Sequence, residues 1–204
     1  MKEERIKVLN ENIIKRYPNE KLVLGQGNLN SPIMLIGEAP GAKEVELGKP
    51  FVGQAGKHLE EFLQVLDIRR EDIYITNSVK YRPTRINPET GRISNRAPTI
   101  KEIEDFREFL LEEIDIISPD VIVTLGNTPL KSLFDKNIKI GEMHGKLESI
   151  YIKGNKYSLF PLYHPAAVIY NKGLREVYLS DLQELKKEMN KIKKSMSITC
   201  ENVT

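Results

Sequence analysis

The sequence predicts an α/β fold: three layers, α/β/α, around a central, mostly parallel four-stranded sheet. Three observations predict it. Short apolar runs bounded by Gly, Pro or Asn alternate with helical patterns. The runs are apolar at successive positions, as strands covered on both faces must be. A chain of 204 residues, 40% of them hydrophobic, can bury one full core without covalent staples.

Taken in order, Ile6, Leu9 and Ile13 recur at helical spacing and predict an opening helix. "SPIMLIGE" reads as a first buried strand, followed by the glycine-rich loop "GEAPGAKEVELGKPFVG". "GKHLEEFLQVL" places Leu59, Phe62, Leu63 and Leu66 on one helical face. "EDIYITNSV" is a second strand, and the polar stretch "KYRPTRINPETGRISNRAPT" then crosses the surface. "IKEIEDFREFLLEEIDII" is an amphipathic helix, "PDVIVTLGN" a third buried strand and "TPLKSLF" a short helix. "SIYIKGNKYSLFPLYHP" predicts a hairpin turning at Gly154-Asn155, its second arm a fourth core strand. A last helix is expected from about Glu176 to Met196, giving one domain over 1–196 and a disordered tail over 197–204.

Composition excludes several classes. The net charge of +2 gives no strong global field, so nucleic-acid binding has to come from a local patch. The single cysteine, Cys200, allows no internal disulfide and no thiolate-held metal cluster. The charged start of the chain carries no apolar signal core, and no run reaches membrane-spanning length, so a cytoplasmic protein is expected.

The glycine loop is not a phosphate loop. Lys49 is followed by Pro50 instead of Ser or Thr, and the dinucleotide fingerprint is missing. Glu38, Glu44 and Glu46 would repel phosphate. In parallel sheets ligands sit beyond the carboxyl ends of the strands. There the first strand runs into "GEAPG", the second ends in Asn77, and the fourth leads to His164.

Three ordered segments, "GEAPGAKE…GKPFVGQAG", "YITNSVKYRP" and "YHPAAVIY", carry a resemblance to the uracil-DNA glycosylase superfamily, closest to its family 4. It covers roughly Leu22 to Leu185. The resemblance implies that family's fold and base excision from DNA. It also marks a departure. Most family 4 members hold a [4Fe–4S] cluster on four cysteines; here Tyr81 and Phe106 stand at two of those positions and the N-terminal pair is missing. No cofactor is therefore expected, with aromatic or apolar packing as the local staple. Tyr170 stands where the family's third motif commonly ends in Arg.

The resemblance implies roles residue by residue. An extruded uracil would stack on Phe51, which could otherwise be plain core. The Asn77 amide would read uracil N3–H and O4, provided its neighbours lock its orientation. His164 would donate a hydrogen bond to O2 as charge grows there. Gly37 and Ala39 would complete the base-binding wall. Glu44 would either activate water or crowd out the thymine methyl, and Glu38 would hold the water through its backbone; an anionic carboxylate also suits an oxocarbenium-like sugar. His58 is expected at the surface and His144 in a structural loop role.

DNA contact is expected from the polar stretch, where Lys80, Arg82, Arg85, Arg92, Arg96 and Lys101 face one acid, Glu89. It is also expected from the third motif: Ala166, Ala167 and Arg175, with Ile169 or Leu174 as the wedge that fills the vacated stack. No histidine lies between Asn77 and Glu104, so ordinary turnover without a covalent adduct is expected. The expected partner is uracil-containing DNA, single- or double-stranded, met by a monomer. Two other readings stay open: a glycosylase for another deaminated base such as hypoxanthine, and a non-catalytic DNA-binding protein.

Overall fold

The structure, a computed structural model, describes residues 1–134, 137–171 and 173–201. Helix α1 (Lys2–Arg16) precedes strands β1 (Gln26–Gly27) and β2 (Ile33–Gly37), then helices α2 (Ala42–Leu47) and α3 (Gln54–Leu66). Next come β3 (Tyr74–Asn77), a hairpin of β4 (Thr84–Ile86) and β5 (Ile93–Asn95), α4 (Ile100–Ile117) and β6 (Val121–Leu125). The chain closes with α5 (Asn127–Leu133), α6 (Ile140–Met143), β7 (Glu148–Ile152), β8 (Asn155–Leu162), α7 (Pro165–Tyr170) and α8 (Gly173–Glu201).

The main sheet has the order β1-β3-β2-β6-β8-β7. Its four central strands are parallel, as the sequence predicts. Two antiparallel edges, β1 on β3 and β7 on β8, raise the count from the expected four to six. A two-residue strand such as β1 leaves no periodicity to read. Strand alternation builds the layers. Ile33, Leu35, Val121, Val123 and Phe160 face α3 and α8, while Met34, Ile36, Ile122 and Leu159 face α4 and α5. Helix α1 packs outside α4 through Leu9, Ile13 and Phe106.

Three boundaries differ from the sequence reading. The β7–β8 turn is Lys153-Gly154, one residue earlier than expected, because Ile152 pairs with Asn155; both turn residues have positive φ, 50° and 86°, as a two-residue hairpin turn requires. The polar stretch after β3 is not an irregular crossing but the β4–β5 hairpin. Helix α8 runs to Glu201, past the expected end at Met196; residues 202–204 lie outside the described residues, as do the side chains of Ile169, Tyr170 and Cys200.

At the heart of the β3–α4 contact lies a buried ion pair. Lys80 is 0% exposed and its Nζ meets Glu113 Oε2 at 2.6 Å. The same ammonium donates to Thr76 Oγ1 and to the Asn77 carbonyl at 2.8 Å, so all three of its protons are placed. Glu113 accepts in addition from the Tyr74 hydroxyl (2.9 Å) and the Thr76 hydroxyl (3.1 Å). Helix α4 is itself started by a capping box, Thr99 with Glu102.

Breaking this pair from one side leaves a buried charge without its partner. Lys80→Met is expected to cost roughly 3–5 kcal/mol of unfolding free energy in urea, and Lys80→Met with Glu113→Met to recover most of that loss. A change of about 0.5 kcal/mol for the single variant, the size seen for exposed residues, would show the pair to be unimportant.

Candidate active site

The connections leave β2 toward β3 and β6 toward β8, in opposite directions, so a crevice opens beyond the ends of β2 and β6. Gly37 ends β2 in register with Asn77, which ends β3. A Cβ built on Gly37 would lie 2.4 Å from Asn77 Oδ1 and 2.6 Å from Phe51 Cζ. Only a residue without a side chain fits there. The aromatic ring and the amide expected to hold a base thus meet at one glycine.

Phe51 sits in the left-handed region, φ 54°, where a non-glycine backbone costs about 1–2 kcal/mol. Two clamps hold it. Arg70, between α3 and β3, donates through Nη2 to the Pro50 carbonyl (2.7 Å) and through Nη1 to the Phe51 carbonyl (3.1 Å). Glu44, buried on α2, accepts from the Gly53 N–H at 2.7 Å, and its other oxygen lies against Gly41. Phe51 also belongs to the core cluster of Leu35, Leu59 and Phe62. It is therefore both a core residue and a wall of the crevice.

His164 lies two residues beyond β8, beside the rim glycine of β6. Gly126 has φ 89°, and a Cβ there would come within 3.2 Å of His164 Cβ. The histidine caps α7: its Nδ1 accepts from the Ala166 N–H at 3.2 Å. With Nδ1 an acceptor, the neutral ring carries its proton on Nε2. Burial pushes the His164 pKa down, and the neighbouring His58 pushes it the same way. The ring is thus held neutral with one N–H to give. Three strand spacings of about 4.8 Å separate β3 from β8, so the strand ends that lead to Asn77 and His164 stand roughly 14 Å apart along the rim.

The remaining rim residues are placed as follows. Glu38 is half-buried; its carboxylate accepts from the Thr128 hydroxyl at 2.6 Å and its carbonyl from the Val79 N–H at 3.1 Å. This Glu38–Thr128 bond spans the crevice between β2 and β6. Ala39 is half-buried and packs against the cluster that holds Val79 and Phe106. His58 is not a plain surface residue: it is half-buried and lines a cavity of about 220 Å³ with Pro165, Val168 and Tyr178. His144 is structural, bonded to Asp181 at 2.7 Å with its ring against Tyr163.

The expected DNA strip needs correction. Lys80 is sealed inside the protein by Glu113 and reaches no DNA. Arg96 is committed to Glu102, which it grips with both terminal nitrogens and holds well below the usual carboxylate range. Arg82, Arg85 and Arg92 remain on the β4–β5 hairpin, with Arg82 bonded to Asn95 at 2.7 Å. Ala166 and Ala167 lie in the first turn of α7, Leu174 and Arg175 in the first turn of α8, and Arg175 pairs with Glu61 at the surface.

Tyr81 and Phe106, which the resemblance sets at two cluster positions, form an aromatic group with Tyr17. Tyr17 stacks on Phe106 with centroids 4.4 Å apart, and Tyr81 meets Phe106 edge-on at 5.6 Å. The Tyr81 hydroxyl donates to Glu102 at 2.6 Å. This donor set offers no thiolate and does not fit an iron–sulfur cluster. Among the described residues no group of three or more His, Cys, Asp or Glu is placed to hold a metal ion, and no helix is long and apolar enough to cross a membrane.

Three supporting residues were not legible beforehand. Arg70 sits in a charged turn with no motif around it. Gly126 and Thr128 follow the third strand; "TLGN" marks a turn there but gives no hint of what the turn touches.

The uracil DNA glycosylase superfamily matches residues 24–191. A type-4 uracil-DNA glycosylase of Saccharolobus solfataricus is 41% identical over 185 residues, 88% of this chain and 80% of that protein. One from Archaeoglobus fulgidus is 41% identical over 167 residues, 80% of this chain and 79% of its own length. A third, from Thermotoga maritima, is 37% identical over 199 residues, 93% and 97% of the two chains. With the family matched over most of its length and relatives of 37–41% identity covered to 79% or more, the chain belongs to the uracil-DNA glycosylase superfamily.

Proposed function

We propose that this protein is a monofunctional DNA-repair glycosylase that hydrolyses the N-glycosidic bond of uracil in DNA, releasing uracil and leaving an abasic site. The observation that carries the reading is the meeting of the Phe51 ring and the Asn77 amide at Gly37, on a rim that also holds a neutral His164.

The base is extruded from the DNA into the crevice. The Phe51 ring covers one face of the pyrimidine, a stacking contact worth roughly 1–3 kcal/mol. The Asn77 amide accepts from uracil N3–H and donates to O4. As the C1′–N1 bond breaks, its electron pair moves onto the uracil ring, and His164 Nε2–H donates to O2, where negative charge collects. A water oxygen attacks C1′. Its proton leaves to Glu44 or to solvent, and Glu38 helps to position the water. Glu44 supports this by shaping the loop: its bond to the Gly53 N–H fixes the segment that presents Phe51. The reaction proceeds without an iron–sulfur cluster, since the Tyr17–Tyr81–Phe106 group provides the packing at that corner. The partner is uracil-bearing DNA, single- or double-stranded, approached by a cytoplasmic monomer.

Purified protein is expected to convert a labelled uracil oligonucleotide to alkali-labile product, in the presence of chelator as in its absence. His164→Ala is expected to lower the single-turnover rate by roughly 10²–10³-fold with substrate affinity little changed. Unchanged kinetics in that variant would remove His164 from its catalytic role, and no product from the wild type would favour the non-catalytic DNA-binding reading.

The lowered His164 pKa sets a second expectation. An ordinary imidazole takes a proton below about pH 6.5, and the folded ring does so only at lower pH. Between the two values the unfolded chain binds more protons, so this group's contribution to stability is present above pH 6.5 and lost as pH falls. Urea midpoints of the wild type should drop between about pH 7 and pH 5 more than those of His164→Gln; parallel profiles would refute the assignment.

A further inference from the structure

The β4–β5 hairpin carries a feature that the excision chemistry does not use. Ile86 and Ile93 pair directly across its two strands, and both are exposed, 66% and 56%. Two-stranded hairpins gain little stability on their own, and neither isoleucine belongs to a core cluster. The hairpin is nonetheless firmly planted. Arg96 ties its base to Thr84 O (3.1 Å) and to Glu102 at the start of α4. Asn87 Oδ1 orders its tip by accepting from the N–H groups of Glu89 and Thr90.

Its orientation follows from alternation. Ile86 and Ile93 share a face with Thr84 and Asn95, while Arg85 lies on the opposite face, bonded to Ser94. Asn95 Nδ2 lies 3.6 Å from the Cβ position of Gly41, so that face is the one turned to the glycine loop. The isoleucines continue it outward by two residues, about 7 Å along the strand. Arg82, bonded to Asn95, shares the isoleucine face, Arg85 and Arg92 lie on the other, and Glu89 is the only acid on the hairpin.

We infer that the hairpin is a second DNA-contacting arm, which lays its Ile86–Ile93 face against the duplex beside the extruded uracil while Arg82, bonded to Asn95 on that same face, reaches a phosphate and Arg85 and Arg92 add positive charge from the other face. The inference rests on the glycosylase reading and adds a site to it. The arginines select a polyanion. The isoleucines select the duplex: single-strand binders use aromatic rings on which bases stack, whereas aliphatic side chains act as wedges between paired base steps.

The test compares Ile86→Ser/Ile93→Ser with the wild type on uracil in single-stranded and in duplex DNA. Both positions are exposed, so the urea midpoint should not move. The double variant should show a KM raised roughly tenfold on duplex, with the single-stranded substrate unchanged. Fluorescence anisotropy on a uracil-free duplex should show a parallel loss of affinity. Arg82→Ala should lower the slope of log affinity against log salt by about 1 on duplex, more than Arg85→Ala on the opposite face. An unchanged duplex KM, or equal losses on both substrates, overturns the wedge. A wild type that releases no uracil sinks the glycosylase reading itself, and the anisotropy arm then still decides whether the hairpin touches duplex.

Discussion

The site depends on a buried charge pair that touches no substrate. Lys80 and Glu113 are both essentially sealed from solvent, and two ions taken out of water repay their desolvation only when every remaining donor and acceptor is used. Here they are. The ammonium binds Glu113, Thr76 and the Asn77 carbonyl; the carboxylate also takes the hydroxyls of Tyr74 and Thr76. Two oxygens of the short strand β3 and one helix are thereby locked together. Asn77 is the last residue of that strand, so its backbone is pinned from below while its amide oxygen lies against Gly37.

Strain forms the other half of the rim. The Phe51 backbone occupies a conformation it would not choose, and Arg70 and Glu44 hold the loop there from two sides. Gly37 then lets ring and amide approach closer than any Cβ would allow. The same economy operates at Gly126, whose positive φ lets the end of β6 pass beside His164. Backbone permissiveness at two glycines sets the width of the crevice, and the side chains define its chemistry.

The parts of this arrangement legible in the sequence were those written in local pattern. Apolar runs announced the four parallel strands, and the strand ends directed attention to Gly37, Asn77 and His164. What the pattern could not convey was burial of charge. Lys80 sits in a stretch rich in arginine and reads as one more surface cation, because its partner Glu113 lies 33 residues away on a helix whose other carboxylates are mostly outside. Arg96 misled for a milder form of the same reason: Glu102 is close in sequence, but their pairing depends on the hairpin that brings the chain back to the start of α4. Clamps such as Arg70 are long-range contacts from an unremarkable turn, invisible to any spacing rule.

The corner next to Lys80 shows how one kind of staple can stand in for another. Tyr81 directly follows the buried lysine, so whatever fixes Tyr81 also steadies the segment leading from Asn77. Thiolates on a cluster would do this with a few strong, directional bonds. Tyr17, Tyr81 and Phe106 do it with area and geometry, a stacked and an edge-on ring pair, each worth about 0.5–1.5 kcal/mol beyond the surface it buries. The Tyr81 hydroxyl adds a bond to Glu102, the residue that also caps α4 and receives Arg96. That carboxylate therefore joins the aromatic corner, the helix start and the foot of the hairpin. Through it the support of the crevice and the support of the β4–β5 hairpin share one node, which ties the hairpin to the rim mechanically as well as spatially.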